Sequence, residues 1–514
     1  MSKTIIIIGA GLAGLSAALQ AAENGCNVKL VSSLPSERAQ SVMAEGGINA
    51  ALNTKDENDS PEEHFTDTIK AACGLADPNA VWGMTQAAPE LVHWLLKLGV
   101  KFNMSGYDDV DLRNFGGQKK KRTAFAQSDT GKQIMTAMID AVRRKEASGM
   151  VERFSHHSFL TLRLCGNICC GCVIRDEYSQ ETVELPGDAV IVATGGMHGL
   201  FGNTTGSLSN TGEVTAELFR LGVPLANGEM IQYHPTTVKC GGKRMLISEA
   251  ARGEGGRLFA MKDGKQWYFM EEKYPELGNL MPRDITAREI WKVSHESEVF
   301  LDMTEISEEI ISNKLSGLAD DCMTYLHKDI RKEPVSVLPG IHYFMGGILV
   351  DEQHRTPIQN LYAAGECCAQ YHGANRLGGN SLLGALYGGR VAAKSACEQA
   401  DAVDLSCATQ IDFPPASQIS EIKQLNKVMQ ETMGVVRNEN TLLNGIQTVQ
   451  ALTGNLPLLG MAVLKSALVR KESRGAHWRE DYPKSNDDDY LKTTVARFDG
   501  KQIQISFVPV PERR

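Results

Sequence analysis

Residues 4–14 read Thr-Ile-Ile-Ile-Ile-Gly-Ala-Gly-Leu-Ala-Gly, and the architecture of the chain can be worked out from this segment. The apolar, β-branched run is typical of a buried parallel strand, and the alanine-rich sequence after it predicts a helix. Residues 27–31 predict a second strand, so the GxGxxG motif lies in the first turn of a βαβ unit. In such a unit Gly9 makes the tight turn, Gly11 admits a pyrophosphate, and Gly14 lets the helix pack against the strand.

The acidic residue that grips the ribose in NAD-binding units is missing from its usual place. Ser32 and Ser33 stand at the end of the second predicted strand, and Glu37 lies further along the chain. Residues 185–196 and 360–366 also predict strands that run into glycine-rich turns. Because ligands of doubly wound sheets bind at such strand ends, we expect an α/β fold with a nucleotide site in which NAD is disfavoured.

Composition and charge exclude several broad classes of protein. The 514 residues contain 42% hydrophobic and 22% charged residues, as in an ordinary globular protein, which excludes wholesale disorder. The formal charge of −9 argues against nucleic-acid binding, which requires a basic footprint. No apolar run approaches the length of about 18–20 residues that spans a bilayer, and the early glycines favour a folded segment over a signal peptide. We therefore expect a cytoplasmic protein.

Four of the twelve cysteines form one tight group, Cys165, Cys169, Cys170 and Cys172. Their spacing fits neither the zinc patterns nor the ferredoxin patterns. Adjacent residues of a strand also point to opposite faces of the sheet. We interpret these cysteines as reduced thiols in a β-hairpin that turns at residues 166–167, and we predict no metal site.

A longer signature follows at residues 40–50, Gln-Ser-Val-Met-Ala-Glu-Gly-Gly-Ile-Asn-Ala. Together with the GxGxxG motif, it resembles the flavoprotein family of succinate dehydrogenase, fumarate reductase and L-aspartate oxidase. The other matching segments are Gln232-Tyr233-His234-Pro235-Thr236, Arg252-Gly253-Glu254-Gly255-Gly256, Pro282-Arg283-Asp284, His342-Tyr343-Phe344-Met345-Gly346-Gly347, His372 to Ser381, and Arg470 to His477. The resemblance therefore runs nearly end to end, and its motifs are long and specific.

The resemblance implies an α/β architecture in which a Rossmann-like FAD-binding domain is interrupted by an inserted α+β capping domain. A C-terminal helical domain and a small terminal hairpin follow. The sequence pattern agrees, because the βαβ rhythm stops in the region of the insertion and the later region is helical. The expected ranges are 1–227 and 339–413 for the FAD-binding domain, 228–338 for the capping domain, 414–490 for the helical domain and 491–514 for the hairpin.

The resemblance also implies that FAD is the cofactor and assigns residues to it. The assigned residues are Gly9, Gly11 and Gly14 at the pyrophosphate, Gly46 and Gly47 beside the isoalloxazine ring, Glu366 at the ribitol or phosphate, and Ser381 and Leu382 at the start of a helix aimed at the N1/O2 edge. We expect Asn380 or Ser381 to cap this helix. The positive end of its dipole would stabilise the negative charge that reduction builds on the ring.

Many members of the family attach FAD covalently to a histidine that precedes the two glycines of the 40–50 signature. Counting back from Gly46 places Gln40 at that position. An amide cannot form the link, so we expect FAD to be held non-covalently. Because the covalent link raises the flavin potential in such proteins, its absence favours the reduction of an alkene over the oxidation of an alkane.

The resemblance further implies a C4-dicarboxylate substrate. It places His234, Ser248, His342 and Arg376 around the two carboxylates, with Phe115 in an adjacent loop. Arginine is the preferred bidentate partner of a carboxylate, so the presence of Arg376 in an intact motif fits this class of substrate.

The family's proton donor corresponds to Arg283, with Glu249 and Arg252 as its relay to solvent. A guanidinium group holds its proton tightly. The step therefore requires a strongly basic carbanion and prompt replacement of the proton through the relay.

Three hypotheses about function stay open at the level of sequence. L-Aspartate oxidases place a glutamate before Gly-Gly to pair with the substrate ammonium, whereas this chain has Phe115 before Gly116 and Gly117, followed by a basic run at 119–122. This pattern favours a fumarate reductase over an oxidase. The third hypothesis is that the chain is one subunit, inactive without an iron–sulfur subunit and a membrane anchor, because no segment of it ligates a cluster.

Overall fold

The structure is a computed structural model that describes residues 2–106, 109–401, 411, 413 and 418–514. Its strands are β1 (Thr4–Ile8), β2 (Asn27–Ser32), β3 (Ile48–Asn49), β4 (Leu112–Arg113), β5 (Thr123–Ala124), β6 (Val151–Ser155), β7 (His157–Cys165), β8 (Ile168–Asp176), β9 (Thr182–Pro186), β10 (Ala189–Val192), β11 (Leu225–Ala226), β12 (Ile231–Cys240), β13 (Lys243–Leu246), β14 (Arg257–Lys262), β15 (Lys265–Trp267), β16 (Val299–Asp302), β17 (Val335–Ser336), β18 (Leu338–Phe344), β19 (Gly347–Leu349), β20 (Leu361–Ala363), β21 (Cys368–Ala369), β22 (Lys492–Phe498) and β23 (Ile503–Pro509). Its α-helices are α1 (Leu12–Glu23), α2 (Pro61–Ala71), α3 (Pro78–Leu98), α4 (Thr130–Ala147), α5 (Glu213–Arg220), α6 (Glu249–Gly253), α7 (Phe269–Lys273), α8 (Arg283–Val293), α9 (Glu308–Lys314), α10 (Ser316–Asp321), α11 (Asn380–Gln399), α12 (Ile419–Thr432), α13 (Glu439–Val449), α14 (Asn455–Val469) and α15 (Asp487–Tyr490).

A parallel five-stranded sheet with the order β20-β10-β1-β2-β6 forms the centre of the molecule. Both of its faces are covered, which explains the unbroken apolar run in β1. Ile5 and Ile7 contribute to the core that contains α1, α4 and α11, whereas Ile6 and Ile8 belong to the core on the opposite face. The predicted α/β class and the βαβ unit at residues 4–32 are confirmed.

The opposite face is covered by the antiparallel sheet β7-β8-β9. The predicted hairpin at residues 166–167 joins β7 and β8, and Cys169, Cys170 and Cys172 are buried free thiols. The prediction that all four cysteines are reduced is wrong for Cys165, which is disulfide-bonded. The spacing of the cysteines predicts the hairpin. It does not predict the disulfide bond of Cys165, because that bond depends on the tertiary fold.

The inserted segment contains the sheet β15-β14-β16-β17, packed with short helices around its own core. The strands β12 and β18 pair antiparallel at its base, where the chain leaves and re-enters the parallel-sheet region. The proposed ranges of the individual domains stay predictions. The predicted boundary between residues 413 and 414 lies next to residues 402–410, 412 and 414–417, which are outside the described residues.

Helices α12, α13 and α14 form a further core, and the terminal hairpin β22–β23 joins a mixed sheet by pairing with β11. Arg470, which opens a segment singled out in the sequence, lies fully buried at this junction. Its guanidinium contacts Glu229 Oε1 at 2.7 Å and donates to the carbonyl oxygen of Lys492 at 2.8 Å. This residue therefore ties the helices to the hairpin.

Among the described residues, no helix combines the length and the apolar character that crossing a membrane requires.

Candidate active site

A cleft of about 890 Å³ lies where the parallel strands end, between the sheet and the inserted segment. Residues at or just beyond the carboxyl ends of β1, β2, β10 and β20 line one end of it, as doubly wound sheets require. Side chains of the inserted segment, including Arg283 and Ser248, line the other end. The topology thus joins the GxGxxG turn and the predicted substrate residues in one cavity.

The three glycines of the GxGxxG motif have different structural reasons to be glycine. Gly9 has φ +110°, and a Cβ atom there would lie 2.2 Å from the carbonyl oxygen of Ala193. A Cβ on Gly14 would lie 1.8 Å from the carbonyl oxygen of Gly9, so the helix could not pack on the turn. A Cβ on Gly11 would meet only side-chain atoms, at 3.7 Å or more. No backbone atom therefore packs against Gly11, which leaves space for the close approach of a ligand.

Glu37 does not take the place of the missing ribose-binding acid. Its carboxylate pairs with Arg143 at 2.5 Å on the exposed surface, outside the cleft. Ser32, Ser33 and Arg38 line the cleft instead.

The middle of the cleft is built around Gly46, Gly47 and Phe115. The Phe115 ring is buried, and a Cβ on Gly46 would approach it to 3.1 Å. Arg113 fixes this loop, because its guanidinium donates to the carbonyl oxygens of Glu45 at 2.9 Å and of Gly46 at 3.0 Å. Gln40 opens a short 3₁₀ turn at the edge of the same region.

The helix α11 starts at the cleft, and Ser381 and Leu382 in its first turn line the cavity. The predicted cap is wrong. Gly379, in the left-handed conformation, is the N-cap and no side chain caps the helix. The Asn380 side chain is buried instead and bonds to Asn49 at 2.7 Å and to His64 at 2.9 Å. These partners come from distant segments, so the sequence pattern alone favoured the local cap.

Glu366 lies in the turn that follows β20 and lines the cleft. Its Oε1 accepts a hydrogen bond from the Phe344 N–H at 3.1 Å and lies 3.5 Å from His198 Nε2. The carboxylate is thereby held at the carboxyl edge of the parallel sheet.

At the far end of the cleft, Arg283 and Glu249 form a buried ion pair. Glu249 Oε2 accepts from Arg283 Nε at 2.8 Å and from Nη2 at 2.5 Å. Arg252 lies behind Glu249, with Nη2 at 3.4 Å from Oε1. Burial by itself would raise the pKa of Glu249, but Arg283 and Arg252 outweigh it and the pKa lies below its usual value. Glu249 is therefore an ionised carboxylate between two guanidinium groups.

Two histidines face each other across this end of the cleft. The rings of His234 and His342 lie 5.1 Å apart, and Thr205 Oγ1 is 2.8 Å from His342 Nδ1. Burial, followed by Arg283, lowers the pKa of both histidines well below the usual value, so both are neutral at pH 7. His234 Nε2 is buried and has no hydrogen-bond partner among the described residues.

Arg376 is buried at the same end and lines the cleft. Its guanidinium lies 4.2 Å from the centre of the Tyr343 ring, and no carboxylate of the described residues pairs with it. Burial, followed by Arg283, lowers the pKa of Arg376 to about 9. Burying an unpaired cation of this kind costs folding free energy, which an anionic ligand would offset. This end of the cleft is therefore suited to an anionic ligand.

Sequence reasoning missed Glu45, whose side chain lines the cleft beside Ser248. Ser248 is the buried N-cap of α6, and its Oγ accepts from the Ala250 N–H at 3.4 Å. Glu45 Oε2 is shielded from solvent and has no hydrogen-bond partner among the described residues. Burial, followed by Asp321, raises the pKa of Glu45 to about 8. The quoted 40–50 signature contains this residue, but the groups around its carboxyl, Arg113, Asp129, Ser248 and Asp321, come from distant segments.

The basic run at 119–122 is partly buried and forms ion pairs within the chain. Arg122 is fully buried and pairs with Asp59 at 2.8 Å and with Asp67 at 3.0 Å. Lys120 pairs with Glu63 at 2.9 Å. Lys120 and Arg122 are therefore paired with acidic residues of the chain itself.

Two segments of the chain match known protein families. Residues 4–382 match the FAD binding domain, and residues 452–513 match the C-terminal domain of the fumarate reductase flavoprotein. The chain belongs to the succinate dehydrogenase/fumarate reductase flavoprotein family.

Individual relatives of this flavoprotein match over its full length. It is 38% identical to the succinate dehydrogenase flavoprotein subunit of Bacillus subtilis, over 100% of this chain and 98% of the relative. It is 32% identical to the 8-methylmenaquinol:fumarate reductase flavoprotein subunit of Wolinella succinogenes, over 100% and 92%. A variant of the quinol fumarate reductase of E. coli has a similar structure, with a TM-score of 0.90, 27% identity and coverage of 99% and 97%.

The residues of this flavoprotein fit FAD. The open side of Gly11 and the narrow space at Gly46 leave room for the pyrophosphate and a flat ring, and the cleft is large enough for cofactor and substrate together. The unpartnered polar atoms of Arg376 and His234 lie beyond these glycines, at the end lined by the inserted segment. The cofactor and substrate regions are therefore adjacent parts of one cavity.

The carboxyl of Glu45 makes the stability of this flavoprotein depend on pH. Its folded pKa of about 8 lies above the usual value of 4.5, so the native state binds more protons than the unfolded chain between these limits. Stability therefore falls as pH rises from about 5 to 8, by at most about 5 kcal/mol. Glu45→Gln should raise the melting temperature relative to the wild type more at pH 8.5 than at pH 5.5.

The matched control for this measurement is Glu152→Gln, which changes an exposed acid on β6. We expect the same small effect of Glu152→Gln at both pH values. Equal shifts of the Glu45→Gln variant at pH 5.5 and pH 8.5 would contradict the assignment.

Proposed function

We propose that this chain reduces fumarate to succinate with non-covalently bound FAD, as the flavoprotein subunit of a larger complex. The observation that supports the substrate class is the excess of positive charge at one end of the cleft. Arg252 and Arg283 share one carboxylate, Glu249, and Arg376 forms no ion pair with any of the described residues. A small dianion with two carboxylates satisfies this charge and the bidentate preference of arginine.

The two neutral histidines orient the substrate in this proposal. His234 Nδ1 lies 3.0 Å from the carbonyl oxygen of Thr236 and 3.3 Å from the Thr236 N–H, so the ring has a partner in either tautomer. We propose that a substrate carboxylate selects the tautomer with the proton on Nε2, which then donates to it. The hydroxyl of Ser248 provides a further donor on the same side. With Arg376 and His342 these groups hold both carboxylates, and clamping one of them polarises the double bond.

Arg283 is proposed to deliver the proton. Nε and Nη2 of Arg283 are engaged by Glu249, whereas Nη1 donates to Gln232 Oε1 at 3.1 Å and keeps a second N–H. That N–H is the one aimed at the substrate carbon. Glu249 then passes a replacement proton from Arg252 to Arg283, and Arg252 regains a proton from solvent, so neither guanidinium stays neutral for long. FAD, when bound, supplies the hydride for the other carbon of the double bond.

The decisive experiment is anaerobic reoxidation of the reduced, purified protein, followed by flavin absorbance. Fumarate should reoxidise the flavin rapidly, whereas acrylate, which has one carboxylate, should do so at least about 100-fold more slowly at equal concentration. Equal rates would exclude a dicarboxylate clamp. Rapid reduction of the oxidised protein by L-aspartate would instead identify an aspartate oxidase, which the position of Phe115 in the cleft disfavours.

The mode of FAD attachment gives a separate prediction. Gln40 lies at the edge of the cleft and has no group that could form a covalent link. Acid precipitation of the holoprotein should therefore release all the yellow colour into the supernatant. Flavin fluorescence that stays with the denatured pellet after washing would contradict non-covalent binding.

The assembly part of the proposal is supported by the relatives, whose names describe them as subunits. By analogy, electrons would reach this chain from an iron–sulfur subunit, and a membrane anchor would hold the complex at the membrane. We expect the tagged chain to co-purify with a cluster-containing partner. We also expect quinol-dependent fumarate reduction by that complex and not by the isolated chain. Full quinol-dependent activity of the isolated chain would refute this part.

A further inference from the structure

Two cysteines distant in sequence meet at the end of the α1–α11 helix pair that is remote from the cleft. Cys26 lies just after α1, with its N–H bonded to the carbonyl oxygen of Ala21 at 3.0 Å. Cys397 lies in the last turn of α11. The Cys26 thiol donates to Cys397 Sγ, and the two sulfur atoms are 3.0 Å apart. This separation is about 1 Å longer than a disulfide bond of about 2.05 Å, so small movements suffice to close it.

The surroundings of the pair hold both backbones in place. The carbonyl oxygen of Cys397 accepts a hydrogen bond from Lys3 Nζ at 2.8 Å. Further along the two helices, Ser16 Oγ donates to the carbonyl oxygen of Leu386 at 2.6 Å. A Cβ on Gly389 would lie 2.3 Å from the carbonyl oxygen of Ala13, so the helices are in close backbone contact. These contacts therefore hold the backbones that carry the two thiols close to each other.

We propose that Cys26 and Cys397 are a redox-sensitive pair that closes to a disulfide when a small disulfide oxidant such as oxidised glutathione is present. The pair is outside the cleft and takes no part in the proposed reduction of fumarate. Both helices begin at the cleft, with Leu12 and Ser381 in its lining. The closed bond would fasten the helices at their remote ends and would leave the cavity unchanged.

The exchange balances as two substitutions at sulfur. Cys397, which is partly exposed, attacks one sulfur of oxidised glutathione and releases one glutathione thiol. Cys26 then attacks the Cys397 sulfur of the mixed disulfide and releases the second glutathione. The two protein thiols lose two electrons and two protons, and the two glutathione molecules carry them away. Burial, followed by the Cys26 sulfur, raises the pKa of Cys397, so we expect exchange over minutes to hours at neutral pH.

Peptide mapping under non-reducing conditions tests the proposal on the folded holoprotein. Trypsin together with a glutamate-specific protease yields residues 24–29 and 395–398, so that Cys397 is separated from Cys407. After treatment with oxidised glutathione we expect these two peptides to be cross-linked in more than about half of the molecules. The cross-link should vanish in Cys26→Ser, in which Cys397 should carry glutathione, and should persist in Cys73→Ser, which removes another partly exposed thiol.

Thermal unfolding provides the second measurement. The oxidised wild type should melt about 5 °C higher than the reduced protein, because the bond closes a very long loop, and dithiothreitol should reverse the shift. The oxidised Cys26→Ser variant should show no shift. Glutathione on Cys397 of the wild type without the cross-link would overturn the proposal, as would a wild type in which neither cysteine reacts. If the protein were cross-linked but its melting temperature unchanged, the disulfide would not stabilise the packing of α1 and α11, which would contradict this part of the proposal.

Discussion

Replacing Arg283 with glutamine is expected to lower the turnover number for fumarate reduction by at least about 1,000-fold while the protein keeps its FAD. Glutamine provides neither the positive charge nor the guanidinium N–H that we propose as the proton donor. It also leaves Glu249 buried without its closest cation. The glycines at the pyrophosphate end lie at the opposite end of the cleft from Arg283, so the loss should fall on the chemical step. Turnover with a reduced viologen as electron donor and the flavin content of the purified variant are the two measurements.

Arg257→Gln is the matched control for this variant. Arg257 forms a similar two-bond pair with Glu271, at 2.8 Å and 2.6 Å, in the same inserted segment but outside the cleft. Its activity should stay within about twofold of the wild type, because an exposed ion pair contributes little to stability. If Arg283→Gln retained more than about a tenth of the wild-type turnover, Arg283 would not be the proton donor.

The local parts of the fold were predictable because their signals lie within short windows. The β-branched run before Gly9 predicts a buried strand, and the alternating pattern near the C-terminus predicts a hairpin, where β22 and β23 lie. These elements need no information from distant segments. Long-range partners, in contrast, account for the corrections. Asn380 bonds to Asn49 and His64 instead of capping α11, and Cys165 is disulfide-bonded.

In the candidate site, too, the residues within motifs were predictable, whereas properties that arise from distant neighbours were not. The resemblance nominated Arg283, Glu249 and Arg376, and the fold places all three at one end of the cleft. It did not nominate Glu45, because the pKa of this carboxyl is raised by burial and then by Asp321, and both depend on the folded chain. The pairing of Cys26 with Cys397 is invisible for the same reason, since 371 positions separate the two residues.

Arg376→Gln is the second variant with a large expected effect, and it should act mainly on binding. The guanidinium of Arg376 is buried, rests on the Tyr343 ring and lacks an anionic partner among the described residues, so a substrate carboxylate gains a charge-assisted contact that glutamine cannot replace. Loss of such a bidentate contact costs about 3–4 kcal/mol, which corresponds to a rise in the KM for fumarate of about 100-fold to 1,000-fold. Steady-state kinetics over a wide range of fumarate concentration measure this change.

The control for Arg376→Gln is Arg390→Gln on α11. Arg390 also rests on an aromatic ring, 4.7 Å from the centre of Trp94, and lies 3.7 Å from Glu23, outside the cleft. Its KM should equal that of the wild type, whereas Arg376→Lys, which keeps the charge but loses the planar two-bond contact, should give an intermediate KM. An Arg376→Gln enzyme with an unchanged KM and a reduced turnover number would show that the residue acts in the chemical step and not as the carboxylate anchor. In that case the unpaired charge at this end of the cleft would have to serve the transition state, where negative charge builds on the substrate, because no carboxylate of the described chain neutralises it.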